Sequence, residues 1–276
     1  MRIDAHQHFW NYSPHAYGWI SEDMPEIRRS FGPQDLKPLL EKQGIDGCVS
    51  VQARQSLEEN EYLLGLAEKQ EFIKGVVGWV DLRSDRVEEE LERYRAFPKM
   101  KGFRHVLQDE PDHNFMLQDS FVRGVKKSFA YGYTYDILIF ETQLPSTLRF
   151  LEHFDTQAFV LDHMAKPMIS VGKTRNWEEG IRELAQYEQL YCKVSGMVTE
   201  AKLKQWTYED FLPFLDVIVD AFGVDRIMFG SDWPVCLLGS ENYGEMKGIV
   251  DRYFEAYTEE DQAKIFGGNA VSYYKL

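Results

Sequence analysis

Eight times along the chain a short run rich in Val, Ile, Phe and Tyr gives way to a longer charged amphipathic stretch. This alternation limits the fold more than any other feature. The apolar runs fall at 3–9, 47–52, 74–81, 102–107, 135–140, 159–163, 191–195 and 226–231. Runs of this length and content predict parallel strands buried on both faces. Helix signals stand between them. Pro33 precedes Leu36, Leu39 and Leu40, the capping-box pattern Ser56-Leu57-Glu58-Glu59 precedes Leu63, Leu66 and Ala67, and Ser84 precedes Val87, Leu91 and Tyr94. Gly132 and Gly223 sit where helices starting near Asp119 and Tyr208 should stop. Eight strand–helix units in 276 residues, with no Pro/Gly/Ser-rich linker between them, predict a single-domain (β/α)8 TIM barrel spanning residues 1–276. A doubly wound open sheet shares the alternation. The barrel reading further predicts that chemistry gathers at the C-terminal ends of the strands.

Polar residues fall at those ends. Strand one closes on Asp4-Ala5-His6-Gln7-His8-Phe9-Trp10. Residues i and i+2 of a strand face the same way about 7 Å apart, which sends His6 and His8 together into the barrel mouth. Two such imidazoles can share a divalent ion or clamp an oxyanion. Arg54 follows strand two, Arg104-His105 end strand four, and Asp162-His163 end strand six with Lys166 just beyond. Lys193 lies inside the apolar frame of strand seven, and Gly230-Ser231-Asp232-Trp233-Pro234 closes strand eight. Charges at so many strand ends are costly to bury without partners. They form either a catalytic site or a salt-bridged barrel cap.

The remaining composition excludes several partners. Forty-five acidic side chains against 31 Lys and Arg give a formal charge of −14 at pH 7, which argues against nucleic acid and anionic membrane. Three widely spaced cysteines, Cys48, Cys192 and Cys236, make neither a disulfide framework nor a CxxC zinc pattern. With no basic and apolar leader at Met1 and no uncharged run long enough to span a bilayer, a cytoplasmic location is expected.

Five segments taken together, DAHQHFW, KGFRHVLQ, LDHMAKP, YCKVSG and FGSDWPV, resemble the amidohydrolase superfamily over essentially the whole chain and in the right order. The chain is most similar to the amidohydrolase-2 branch that contains sugar lactonases such as L-fuconolactonase and L-rhamnonolactonase. The closing segment 265–270 also resembles the end of that family's chains. The resemblance implies a TIM barrel with a hydrolytic or lyase site at its C-terminal face and, often, one divalent cation. It carries over His6, His8, His163 and Asp232 as the core of the site. One departure stands out. Many relatives place a third metal-binding imidazole at the end of strand five, where this chain has Ile139-Phe140-Glu141-Thr142. With His6, His8 and Asp232 as metal ligands, at most one cation is expected, zinc being the best match to imidazole, weakly held or dispensable.

The expected activity is opening of a small sugar lactone to its hydroxy acid by activated water. Asp232 would be the base, His6 and His8 the polarising pair, and His163 a donor to the carbonyl or leaving oxygen. Arg54, Arg104, His105, Lys193 and Trp233 are expected to contact substrate, with Trp10 and Trp19 as further aromatic walls. A non-oxidative decarboxylase, another metal-assisted hydrolase of the same branch and a barrel that only binds its ligand are the competing readings. The identity of the sugar, its ring size and self-association are left open.

Overall fold

The computed structural model describes residues 1–172 and 175–276. Its eight strands are β1 Ile3–Gln7, β2 Gly47–Val51, β3 Ile73–Gly78, β4 Met100–Val106, β5 Thr134–Leu138, β6 Phe159–Leu161, β7 Leu190–Val194 and β8 Ile227–Phe229. All pair in parallel with their sequence neighbours, in the order β1 to β8. Two backbone hydrogen bonds close the ring. The amide of His8 donates to Trp233 O at 2.7 Å, and that of Asp232 donates to His6 O at 2.8 Å. The fold is the expected (β/α)8 barrel.

The helices are α1 Pro33–Lys42, α2 Leu57–Lys69, α3 Val87–Tyr94, α4 Asp119–Ala130, α5 Leu144–Leu151, α6 Arg175–Leu184, α7 Met197–Glu200, α8 Leu212–Phe222, α9 Tyr243–Phe254, α10 Glu259–Ala263 and α11 Asn269–Tyr274. Most of the apolar core lies between strands and helices. A second apolar cluster fills the lower barrel, where Ile3, Ala5, Val49, Val51, Val77, Val160 and Met228 meet Tyr273 and Tyr274 of α11. The last helix thus plugs the barrel's N-terminal end. Gly223 ends α8 at a φ of 64° and Gly132 follows α4 at 89°, left-handed positions that suit glycine. The expected capping box at Ser56 is half formed. Ser56 Oγ accepts the amide of Glu58 at 3.2 Å, but the Glu59 carboxylate turns away to other partners.

Expected and observed strands coincide in number and order, but the observed strands stop one to three residues earlier at their C-terminal ends. Among the residues beyond are His8 and His163, which line the barrel mouth. β1 contains a second irregularity. Ile3 and Ala5 face the interior, so strict alternation would send His6 outward. The pairing of β1 on β2 shifts register between Asp4 and Gln7, and this brings His6 and His8 to the inside.

Candidate active site

A pocket of about 510 Å³ opens at the C-terminal face. His8, His163, Arg104 and Asp232 lie at its base, with Arg54, Lys166 and Trp19 higher on its walls. His6 lies just below, fully buried.

The imidazoles of His6 and His8 meet edge to face, with their Nε2 atoms 3.2 Å apart. Asp232 Oδ1 lies 3.2 Å from His8 Nε2, 3.8 Å from His6 Nε2 and 3.9 Å from His163 Nε2. Neighbouring groups assign the protons of His8 and His163. His8 Nδ1 is 2.8 Å from the carbonyl of Val51, which can only accept, so Nδ1 donates and Nε2 keeps its lone pair. His6 Nε2 is 3.3 Å from Arg104 Nη1, which can only donate, while Asp162 Oδ1 lies 3.3 Å from Nδ1. Nδ1 also lies 3.2 Å from Lys193 Nζ, an ammonium donor, so both ring nitrogens of His6 face a donor and a possible acceptor. At His163 the Ser195 hydroxyl is 2.8 Å from Nδ1, and the Asp232 carboxylate faces Nε2. Here Nε2 carries the proton and points into the site.

His6 Nε2, His8 Nε2 and Asp232 Oδ1 converge, and with the His6 proton on Nδ1 none lies between them. Such a donor set suits a cation. A point equidistant from the three lies about 2.0 Å from each, a normal Zn–N or Zn–O distance. Three protein ligands with one side open to the pocket is the pattern of a catalytic rather than a structural zinc site. The arrangement fits one divalent ion. The Arg104 guanidinium beside His6 weakens its hold through like-charge repulsion. Glu141 adds no ligand to this trio; its carboxylate accepts the amide of Met168 at 3.3 Å.

Electrostatics follow from burial and neighbours. Burial pushes the Asp232 carboxyl up, but His163, His8 and His6 together outweigh it and hold it below the usual carboxylate range. Burial, the largest influence on each, takes His163 down to about 4 and His6 well below its ordinary value. Asp232 is thus ionised and the imidazoles of His6 and His163 neutral at pH 7.

Left-handed backbone shapes two parts of the site. Residues His163, Met164, Ala165 and Lys166 have φ of 53°, 54°, 58° and 48°, and Asp232 has 56°. Each costs about 1–2 kcal/mol in a non-glycine residue, and such strain clusters at functional sites. The Trp177 indole holds the turn by donating to Met164 O at 2.9 Å. The Arg54 segment is held differently. Glu59 Oε2 accepts the amides of Ala53 and Arg54 at 2.9 and 2.8 Å, and Tyr17 Oη donates to Oε1 at 2.9 Å.

Three expected contact residues do not line the pocket. His105, one residue past inward-facing Arg104, points to the helix layer. There Trp79 donates to its Nδ1 at 3.3 Å, its Nε2 bonds Glu110 at 2.7 Å, and its ring stacks on Phe115. Trp233 packs edge-on against Phe9 and Phe31, and only its backbone serves the site, by closing the barrel. Lys193 is inward but wholly buried beneath His6. Trp10 is also buried, leaving Trp19 as the tryptophan of the pocket wall. Two carboxylates sit beside Lys193: Asp136 of β5, missed in the sequence, and Asp162 just after β6, noted there only as a strand end. An acidic residue within an apolar strand run was their visible signal, as a cation in such a run was for Lys193. Burial raises Asp162, but Lys193, His6 and Arg104 outweigh it and hold it well below the carboxylate range.

The amidohydrolase family profile matches residues 3–276. The chain is 39% identical over 287 residues to an L-fucono-1,5-lactonase of Burkholderia multivorans, covering 100% of this chain and 96% of that protein. It is 34% identical over 282 residues to an L-fucono-1,5-lactonase of Burkholderia ambifaria, with the same coverage. A solved amidohydrolase from Burkholderia multivorans with bound zinc superposes with a TM-score of 0.96 at 40% identity, covering 100% of this chain and 99% of that one. Identity at this level from end to end, on a barrel that superposes almost completely, places the matter beyond fold likeness: the chain belongs to the amidohydrolase family.

Proposed function

We propose that the protein hydrolyses the ring ester of a sugar-acid lactone, with an aldono-1,5-lactone of the L-fucono type as its substrate class. The observation that carries this reading is the Asp232 carboxylate within 3.9 Å of three imidazoles at the base of an open pocket flanked by arginine and lysine. The names of the two Burkholderia relatives support the choice of lactone.

Asp232 takes a proton from the attacking water. A carboxylate held below its usual range is a weak base, so the water must be made more acidic where it binds. One zinc ion on His6, His8 and Asp232 would supply that acidity and polarise the lactone carbonyl. His163, with its proton on Nε2, donates to the oxyanion as water adds to the carbonyl carbon. The tetrahedral species then collapses, the bond from carbonyl carbon to ring oxygen breaks, and the proton held by Asp232 passes to the departing alkoxide. Water has then added across the ester, and the product is the open hydroxy acid.

Arg54 and Lys166 present donors from the pocket walls to the sugar hydroxyls and, after opening, to the new carboxylate. Trp19 offers an aromatic face to the ring. Arg104 Nη1 donates to Asp162 at 2.9 Å, and its Nη2 bonds the carbonyl of Gln52. It therefore meets the substrate as a fixed wall and not as a mobile clamp. A decarboxylase reading has no observation of its own in this site.

A panel of 1,4- and 1,5-aldonolactones, followed by proton release in weakly buffered indicator solution, tests the proposal. Turnover of L-fucono-1,5-lactone above its spontaneous rate is expected. Failure to open any lactone, with or without added zinc, would overturn it.

A further inference from the structure

The floor of the pocket is charged where barrel interiors of this kind are ordinarily filled by branched apolar side chains. Lys193, Asp136 and Asp162 are wholly buried and Arg104 nearly so, two cations against two carboxylates. Lys193 Nζ lies 2.6 Å from Asp136 Oδ2, 3.0 Å from Asp162 Oδ1 and 3.2 Å from His6 Nδ1. Arg104 Nη1 holds the other oxygen of Asp162 at 2.9 Å. On the side away from the pocket, Tyr274 Oη of α11 donates to Asp136 Oδ2 at 2.7 Å. A continuous polar chain thus runs from the helix that plugs the barrel, through Asp136 and Lys193, to Asp162 and His6.

Stability does not account for it. Buried ion pairs can usually be replaced by apolar side chains without loss, whereas removing one partner alone is damaging. Asp136 Oδ1 moreover has no hydrogen-bond partner among the described residues, a further cost. What the chain achieves is geometric. Arg104 hydrogen-bonds one oxygen of Asp162, while Lys193 lies in ion-pair contact with the other and faces His6 Nδ1 within hydrogen-bond distance, so the ammonium fixes where that ring nitrogen sits. Lys193 is itself held by Asp136, and Asp136 by Tyr274.

We propose that Lys193 and Asp136, anchored by Tyr274, are positioning residues that hold His6 at its Nδ1 and so fix the orientation of the ring and where Nε2 points. Neither residue touches the substrate. The kinetic consequence rests on the lactone-hydrolysis reading; the imidazole geometry does not.

The decisive comparison sets the single variants Lys193→Met and Asp136→Asn against the double variant carrying both. Each single change leaves a buried charge uncompensated and should lower Tm. The double change restores charge balance, leaves Arg104 and Asp162 paired, and keeps an acceptor at position 136 for Tyr274. Its Tm should return to within about 3 °C of wild type. Its kcat should remain about tenfold or more below wild type, the scale on which partners of a ligating imidazole act, with KM changed less than about twofold. Long-range nitrogen-15 imidazole spectra supply the second readout, with the His6 signals identified by their loss in His6→Gln. Wild type should show one set of His6 signals, and the double variant more than one. A double variant that recovers kcat along with Tm, or whose His6 signals match wild type, would overturn the proposal. Should wild type open no lactone, the lactone reading falls and the spectra alone decide the positioning role. Should the double variant not fold, Tyr274→Phe decides, since it removes a single hydroxyl and keeps the ring. Disturbed His6 signals are expected there, and unchanged signals would overturn the role.

Discussion

Replacing Asp232 by asparagine removes the carboxylate that faces all three imidazoles of the site and leaves its outline nearly unchanged. Oδ1 lies 3.2, 3.8 and 3.9 Å from the Nε2 atoms of His8, His6 and His163, so an amide fits the same space. An amide cannot take a proton from water. General-base catalysis contributes about 100- to 10,000-fold, or about 3–5 kcal/mol of barrier, and kcat should fall by that factor. The Arg54 and Lys166 donors are untouched, so KM should change by less than about threefold. Proton release from L-fucono-1,5-lactone measures both constants, with the spontaneous opening rate subtracted at each pH. A variant that keeps more than about a third of wild-type turnover would remove Asp232 from the role of base.

Three further outcomes follow from the same geometry. Burial lowers His163 to about 4 and Asp232 is held below the usual carboxylate range, so His163 stays neutral and Asp232 ionised above pH 5. As pH falls, kcat/KM should hold until below about pH 5 and then decline; an acid limb with a midpoint near the ordinary histidine value of about 6.5 would contradict this. Arg54→Gln removes a charged donor from the pocket wall and should raise KM by about 10- to 100-fold with little change in kcat, whereas an unchanged KM would place Arg54 outside the substrate's reach. Gly196 has a φ of 64°, and a Cβ there would lie 2.7 Å from His163 Nδ1. Gly196→Ala should therefore cost about 1–2 kcal/mol in backbone strain and lower turnover by displacing the imidazole, and full activity in the folded variant would show that His163 tolerates displacement.

The barrel was legible because its strands are buried on both faces and therefore read as unbroken apolar runs, for which eight repeats leave few folds. Strand ends were less legible, since His8 and Asp232 leave the ladder while continuing the same polar pattern. The pairing of His6 with His8 was visible as an i, i+2 spacing. The register shift that turns both inward was not, because it depends on how β1 lies against β2. Alternation applied to β4 separates inward Arg104 from outward His105, yet side-chain chemistry alone groups the two. Lys193 stood out as a cation in an apolar run, but depth along the barrel axis, which decides whether it reaches the pocket or lies beneath it, has no local signal. The same holds for Asp136 and Asp162, whose partners come from β7, β4 and the last turn of the chain. The left-handed turn through His163 carries no glycine to announce it and is held by contacts such as that from Trp177 on α6.

Mass spectrometry of the product formed in heavy-oxygen water tests the central claim most directly. Hydrolysis of L-fucono-1,5-lactone by water activated at Asp232 predicts a hydroxy acid heavier by one water, with one labelled oxygen on the carboxyl carbon and none on the ring hydroxyl. Unchanged lactone, label on the ring hydroxyl, or release of carbon dioxide in place of water uptake would contradict it.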